Sequence, residues 1–375
     1  MSGCLGRRSG LSPRLSDCLP VFAMLAVFAS PISSWSQGQW QGEEIAQAGG
    51  GDSPIPLQYR IGNTGGTGGG FGQGEIHDHL WDGFFWNRKI GWACGFGGVF
   101  RTQDGGWSWT RVKPRGGWYH VQMSGPQEIW LLEGFHGQAK AHLWHSVDDG
   151  RSWSELLPGK LLSASDLVCR GNLRAVLCGD FTSFWSLDGG RNWAPLPFYG
   201  TIRLAVPGDI RSGAGFVAYV LCAGGPQQPR VPQIFKSTDS GRSWKELVLF
   251  HGLAWPQSIF FATSLCGWIG LDDGSLLATS DGGESWEKLP FPERRAIRAL
   301  WFDSLGRGYA AVENSNLGRL GPALLATLDG GRSWQTVLSG AKNINALFSL
   351  GPDRLWAVGS VPGFAPNDLV VFLHR

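Results

Sequence analysis

The feature that most constrains the fold of this chain is an eight-residue box, Ser/Thr-x-Asp-x-Gly-x-x-Trp, which the sequence repeats six times. Successive boxes are roughly 40 to 50 residues apart, a period typical of folds in which each repeat is one supersecondary unit. Such a unit buries its apolar face only against its neighbours. The central aspartates of the boxes are Asp104, Asp148, Asp188, Asp239, Asp281 and Asp329.

The composition of the box predicts a β-hairpin turn. Its hydroxyl and its carboxylate are two residues apart and can accept hydrogen bonds from amides of their own turn. Its glycine provides the positive φ that a tight turn requires. The tryptophan then begins the next strand and can pack over the turn and the sheet. Apolar runs precede the boxes and a short strand follows, as in residues 286–289. Each box therefore joins two antiparallel strands.

The strand pattern around the boxes predicts a propeller. Each repeat contains four candidate strands, and six boxes give six blades. Three more strand candidates, at 345–350, 355–358 and 369–373, have no box. A blade of three strands leaves an unpaired edge, and the segment 55–61 is the strand candidate available to close it. We therefore expect an all-β, seven-bladed β-propeller whose last blade is closed by an N-terminal strand.

The box resembles the Asp-box, or BNR, repeat of sialidases, sortilin-type receptors and related propellers. More closely, residues 90–109, IGWACGFGGVFRTQDGGWSW, resemble the repeat unit of the Ycf48/Hcf136-like photosystem II assembly-factor family, and 266–286 repeats that likeness. The resemblance extends over about residues 76–375. It implies a non-enzymatic scaffold that binds a protein or peptide, such as a subunit of a membrane complex. Asp-box hairpins occur on propellers of many activities, so the resemblance is more specific for fold than for function.

The N-terminus has the pattern of an export signal, predicted at residues 1–36. Arginines precede an apolar segment at 19–29, which is too short for a membrane span, and small residues precede a cleavage position before Gln37. We expect the mature protein to be periplasmic or secreted, or to lie in the thylakoid lumen if the host is a phototroph.

Three further segments complete the predicted domain organisation. Residues 37–53 are rich in Gln and Gly and predict a disordered linker. The propeller domain is expected over 54–375, and a glycine-rich connector is expected at 62–74 within it.

The alternative function is a glycan-binding or glycoside-hydrolysing propeller. Arg60 and Ile61 resemble the Arg-Ile-Pro motif of sialidases, but Gly62 stands in place of the proline. A sialidase also needs two further arginines and a Tyr–Glu pair, and another glycosidase needs two facing carboxylates. No motif in the sequence assembles either set, so we expect no enzyme activity.

Metal, cofactor and nucleic-acid sites are not indicated. On a strand, His77 and His79 share a face, whereas His142 and His145 do not, and turn or surface histidines are expected at these positions. The net charge of +2 gives no indication of a nucleic-acid partner. We expect no metal and no cofactor.

Five cysteines follow the signal, Cys94, Cys169, Cys178, Cys222 and Cys266. Four of them predict small buried residues in or beside second strands. A Cys169–Cys178 disulfide across one hairpin stays open as an alternative.

The connections between blades form the predicted partner surface. In a propeller they lie on the face opposite the box turns. Arginine and large aromatic residues are the types that dominate protein-binding hot spots, although ordinary solvated loops have the same location. We expect a monomer that binds a protein or peptide through Arg115, Trp118, Tyr199, Trp255, Arg294 and Arg295.

Overall fold

The computed structural model describes residues 80–105, 109–134, 140–162, 164–178, 182–198, 201–206, 216–222, 232–247, 254–303, 306–313, 322–339, 343–351, 354–360 and 369–372. Its regular elements over these ranges are 27 β-strands. No helix that could cross a membrane occurs in the described part of the chain.

The strands follow one another in chain order. Blades 1 to 3 contain β1 (Leu80–Phe85), β2 (Gly91–Gly95), β3 (Gly98–Thr102), β4 (Thr110–Lys113), β5 (Trp118–Met123), β6 (Ile129–Glu133), β7 (His142–Ser146), β8 (Ser154–Leu156), β9 (Asp166–Arg170), β10 (Leu173–Leu177), β11 (Phe184–Ser186) and β12 (Ala194–Pro195). Blades 4 to 6 contain β13 (Thr201–Ala205), β14 (Ala218–Cys222), β15 (Gln233–Ser237), β16 (Lys245–Leu247), β17 (Pro256–Phe261), β18 (Gly267–Leu271), β19 (Leu276–Thr279), β20 (Glu287–Leu289), β21 (Ile297–Phe302), β22 (Gly308–Val312), β23 (Pro322–Thr327) and β24 (Gln335–Ser339). The remaining strands are β25 (Asn343–Gly351), β26 (Arg354–Ser360) and β27 (Leu369–Phe372).

The strands form a β-propeller of antiparallel meanders. Six sheets have four strands each, and β25–β27 form a further sheet of three. The expectation of seven four-stranded blades is therefore not met by the described residues, which form six complete blades. The strand expected to complete the last sheet, 55–61, lies outside the described residues, as do the export signal, the linker and the glycine-rich connector.

The core lies between the sheets, where each hydrophobic cluster belongs to two neighbours. Trp92 of blade 1 packs with Val121 and Leu131 of blade 2. The ring closes in the same way, because Trp356 and Val358 of the three-stranded sheet pack with Phe85 of blade 1. Burial of such side chains contributes about 1.5–3 kcal/mol each. No blade therefore has a core of its own.

The third box shows why the turn sequence recurs. Ser186 Oγ donates to Asp188 Oδ1 at 2.7 Å and accepts from the Gly190 amide at 2.8 Å. Asp188 Oδ1 also accepts from the amide of Asn192 at 2.9 Å. The ring nitrogen of Trp193 donates to the Gly190 carbonyl at 2.9 Å. The turn thereby satisfies its own polar groups between the third and fourth strands.

A second-strand aromatic side chain packs beneath the box turn of the following blade. Gly190 has φ +93°, and a Cβ there would lie 2.5 Å from the ring of Trp130 in blade 2. Likewise, Trp268 of blade 5 donates its ring N–H to the carbonyl of Gly330 in the box of blade 6, at 2.9 Å. The box glycine is therefore required by its backbone angle and by the neighbouring ring.

Cys94, Cys169 and Cys178 are buried free thiols, and Cys222 is also buried. Cys169 and Cys178 do not pair, and burial raises the pKa of both thiols to about 12. A thiol in this state is a poor nucleophile.

Candidate functional site

The first strands of the seven sheets surround the propeller axis. Each contacts the first strand of the next sheet, and β25 contacts β1. Each first strand starts at the face that receives the connection from the preceding blade. This end of the channel therefore gathers residues from every sheet, on the face opposite the box turns.

A β-bulge marks the start of six of these strands, in β1, β5, β13, β17, β21 and β25. A bulge turns its extra residue away from the regular pairing. In β9, which pairs without a bulge, Asp166 is the matching residue. The residues at this position are Trp81, Tyr119, Asp166, Ile202, Gln257, Arg298 and Asn345. Their chemistry differs from blade to blade.

A chain of polar contacts connects the first strands of blades 1 to 3. Asp82 Oδ2 lies 3.1 Å from His120 Nδ1, and His120 Nε2 lies 3.0 Å from the carbonyl of Ser165. Burial opposes the charged imidazolium, but the hydrogen bond to Asp82 and the charges of Asp82 and Asp166 leave the pKa of His120 above its ordinary value. Both ring nitrogens of the protonated ring have an acceptor. The His120 ring therefore connects the first strands of blades 1 and 2 with the residue that precedes β9.

Two arginines lie at the same end of the channel. The guanidinium of Arg298 donates from Nη1 to Gln257 at 2.7 Å, and from Nε and Nη2 to Glu313 at 2.9 and 2.5 Å. Arg203 Nε lies 4.0 Å from Asp166. Both arginine side chains remain substantially exposed. They can therefore present charge to a partner while neighbouring carboxylates and amides fix their positions.

Aromatic rings complete this surface. The ring centroids of Trp81 and Tyr119 are 5.6 Å apart. Burial raises the pKa of Tyr119, whereas the charges of Arg203 and Arg298 lower it. These arginines belong to blades 4 and 6 and Tyr119 to blade 2, and all three lie at the start of a first strand, at the same end of the channel. We name the channel-mouth cluster as Trp81, Tyr119, Asp166, Arg203, Gln257 and Arg298.

Five of the six residues predicted from the sequence lie in the described part of the chain, in or beside the connections between blades. Arg115 and Arg294 are exposed in the connections before β5 and β21. Trp255 is partly exposed. Its amide donates to Asp272 Oδ1 and its carbonyl accepts from the Asp272 amide, both at 2.8 Å. Arg295 is partly buried and donates to Glu293 at 2.7 Å. Tyr199 lies outside the described residues.

Trp118 needs a correction. It was expected to be a surface anchor, but its side chain is 6 % exposed and packs in the core between blades 1 and 2. Its ring nitrogen donates to the Pro114 carbonyl at 2.9 Å. Successive side chains of a strand point to opposite sides, so Trp118 at the start of β5 points into the packing between the sheets. The bulge residue after it, Tyr119, therefore has the position that faces the channel.

The residues at the bulge position lie one to three residues after those predicted from the sequence in the same connections. Gln257 follows Trp255 by two residues, and Arg298 follows Arg295 by three. The channel-facing residue of a first strand could be sought among the first two or three residues after each connection. The bulge that selects one of them is not visible in the sequence.

No group of three or more His, Cys, Asp or Glu side chains within the described ranges is arranged to hold a metal ion. The carboxylates of Asp166 and Glu313 lie beside the guanidinium groups of Arg203 and Arg298, and that of Asp82 lies beside the His120 ring. The arrangement therefore holds fixed charges beside aromatic surface.

The fold and this surface define a class, a repeat-built β-propeller with a polar and aromatic opening on one face. No family model matches the sequence, and no curated protein matches it. Solved structures do.

Two of them are YCF48 propellers. YCF48 bound to D1 peptide superposes with a TM-score of 0.59 and 19 % identity, covering 80 % of this chain and 92 % of that one. YCF48 from Cyanidioschyzon merolae gives 0.57 and 19 %, covering 80 % and 96 %. A GH74 xyloglucanase from Xanthomonas campestris gives 0.60 and 15 %, covering 76 % of this chain and 51 % of that one. At these identities the likeness shows the propeller fold.

Proposed function

We propose that this chain is an exported, non-enzymatic propeller that binds a protein or peptide segment at the channel-mouth cluster. The observation that carries the proposal is the convergence of Arg203, Arg298, Trp81 and Tyr119 on one opening. Arginine and aromatic residues provide most of the binding energy at protein interfaces. The YCF48 structure with a D1 peptide supports this proposal, since it is a propeller of the same fold with a bound peptide.

The partner's chemistry follows from the charges. The two arginines at the opening remain accessible, whereas Asp82 is buried. Arg115 and Arg294 add exposed positive charge in the surrounding connections, and Trp255 adds partly exposed aromatic surface. We therefore propose an acidic segment with apolar side chains, from a subunit of a membrane complex, bound by a monomeric propeller.

Export is part of the proposal and rests on the N-terminal pattern. The segment has basic residues, an apolar core and small residues before Gln37. A periplasmic, secreted or thylakoid-lumen location follows, according to the host.

Glycoside hydrolysis has weaker support. The GH74 likeness shares the fold at 15 % identity. Hydrolysis requires two carboxylates facing a substrate across a cleft, whereas Asp166 and Glu313 at this opening are held by arginines. Binding is therefore the function that the geometry supports better.

The test uses two short fluorescein-labelled peptides, one of alternating Glu and Leu and one of alternating Lys and Leu. The acidic peptide should bind, more weakly as salt rises. The double variant Arg203→Ala/Arg298→Ala should weaken it by about thirtyfold or more, the loss typical of truncated hot spots. Arg294→Ala/Arg295→Ala should have a smaller effect.

Arg332→Ala is the matched control, because Arg332 lies on the box side and pairs with Glu287 at 3.5 Å. It should leave peptide affinity unchanged. Equal binding of the acidic peptide to all variants of unchanged melting temperature would contradict the site. Turnover of a chromogenic glycoside that a single Glu substitution abolishes would contradict the scaffold function.

We also infer that residues 55–61 pair with β27 to give a seventh four-stranded blade. Among the described residues, β27 is the outer edge of a three-stranded sheet in a ring whose other six sheets have four strands, and an open edge is a pairing hazard. Deleting residues 54–61 should lower the melting temperature sharply, because it leaves this edge open. A deletion variant that melts like the parent would show that the segment has no such role.

A further inference from the structure

Blade 3 breaks the repeat at one position. The second residue of the second strand is aromatic in five of the complete blades, at Trp92, Trp130, Tyr219, Trp268 and Tyr309. In blade 3 it is Arg174. The third-strand residue Trp185, which pairs with Ala175, instead packs beneath Gly241, the box glycine of blade 4. Arg174 therefore does not pack beneath the box turn of the next blade, as Trp130 and Trp268 do.

Arg174 turns back towards blade 2. Its guanidinium lies 5.0 Å from the centre of the Trp130 ring. Nη1 donates to the carbonyls of Gly171 and Leu173, at 2.6 and 2.9 Å. The residue is 3 % exposed, and its Nε has no hydrogen-bond partner among the described residues. An unmet buried donor is costly, since it keeps its desolvation penalty.

This arginine lines a cavity of ≈ 650 Å³ between blades 2 and 3, on the box face. The volume lies in the range of small-molecule sites. Val147 and Leu187, in the box turns of the two blades, line it with side chains that are 65 % and 44 % exposed. Leu156 adds a further apolar side chain to the lining. An apolar ligand body would bury this surface.

The two carboxylates that line the cavity, Glu128 and Asp188, already accept hydrogen bonds. Glu128 Oε1 lies 3.0 Å from His145 Nε2, and that hydrogen bond is the main cause of its lowered pKa. The His145 ring stacks on Trp130 at 3.9 Å. Asp188 is held by its own turn. Arg191 brings a further cationic side chain to the lining. The Arg174 charge also lowers the pKa of Glu128, and the donor that stays unmet in this lining is Nε of Arg174.

We propose that this cavity is a binding site for a small carboxylate with an apolar body. The carboxylate would accept a charge-assisted hydrogen bond from the unmet Nε–H donor of Arg174. The apolar body would cover Val147 and Leu187. The site lies on the face opposite the channel mouth and is independent of the proposed peptide binding.

The test compares 3-phenylpropionate with its neutral amide, 3-phenylpropanamide, by saturation-transfer NMR and calorimetry on the full chain. The carboxylate should bind at least about tenfold more tightly than the amide, since charged hydrogen bonds are the stronger ones. Arg174→Met, which keeps the volume and stacking on Trp130, should abolish that preference. Equal binding of the two probes, or no carboxylate binding by the folded protein, would overturn the proposal.

A second pair of variants keeps the result interpretable if Arg174→Met does not fold. Leu187→Asp adds a negative charge beside the cavity and should weaken carboxylate binding by about tenfold or more. Leu328→Asp is the matched control, because Leu328 has the same box position in blade 6 and is 47 % exposed. Equal effects of the two changes would overturn the site, and Arg298→Ala should leave probe binding unchanged.

Discussion

The two faces of this propeller differ in how far their sequences repeat from blade to blade. On the box face, the same hydroxyl–aspartate–glycine hydrogen bonds recur in the turns of blades 2 to 6. At the channel mouth, matched positions in the seven first strands contain different residues, among them Trp81, Asp166 and Arg298. Repetition holds the ring together, and variation at fixed positions gives a surface its specificity. The same lesson applies to Arg174, the one departure from an aromatic repeat position.

The largest expected effect is on the box side. Trp268→Ala should lower the free energy of unfolding by about 3–5 kcal/mol, the usual cost of truncating a buried tryptophan. It removes the 2.9 Å hydrogen bond to Gly330 and the stacking on Phe302 at 3.8 Å. Trp255→Ala, on the opposite face and partly exposed, should cost under about 1 kcal/mol. Urea unfolding followed by circular dichroism measures both, and equal losses would remove the distinction between the faces.

A smaller difference is expected within a single turn. Gly189 and Gly190 have φ +78° and +93°, but only the Cβ of a substituted Gly190 would meet a ring, that of Trp130. Gly189→Ala should cost about 1–2 kcal/mol from backbone strain alone. Gly190→Ala should cost about 1–3 kcal/mol more, because the ring must also move. Similar midpoints of denaturation for the two variants would show that the ring of Trp130 does not restrict the turn.

The smallest effects should appear in the pH dependence, with opposite signs on the two faces. Hydrogen bonds from the Asn192 amide, Ser186 and the Asn192 side chain lower the pKa of Asp188 to about 2. Asp148 and Asp239 also have pKa values of about 2, mainly through the hydroxyls of Ser152 and Ser243. Because the unfolded carboxyl titrates near about 3.9, this stabilisation is present above that pH and is lost as the pH falls towards 2.

His120 has the opposite sign. Its folded pKa is raised, so its contribution is complete below the unfolded value of about 6.5 and is lost as pH rises through the folded pKa. Melting temperatures of the parent and of His120→Gln, measured from pH 3 to 9, separate the two trends. The variant should keep the acid loss and lose the decline on the alkaline side. An unchanged alkaline decline would assign it to another group.

The fold could be predicted from the sequence because the box repeats, and the positions that depart from the repeat could not be predicted. Six copies of a turn fix where third and fourth strands meet, so the propeller and the face of the blade connections followed from residues such as Asp188 and Gly190. A bulge depends on how two strands pair, which moved the channel-facing position from Trp118 to Tyr119. Arg174 gave no signal either, since an arginine in a strand is usually an exposed one.

The placement of second-strand aromatics beneath the next blade's turn, as with Trp130 and Trp268, also gives the ring a direction. Contacts of this kind are heterologous, joining the front of one unit to the back of the next, as subunits do in cyclic oligomers. A propeller opened at such a junction would present an uncovered ring at one end and a vacant turn at the other. Two such molecules carry complementary ends and can join head to tail. The packing of Trp356 with Phe85 and Trp109 keeps those two ends occupied within one chain.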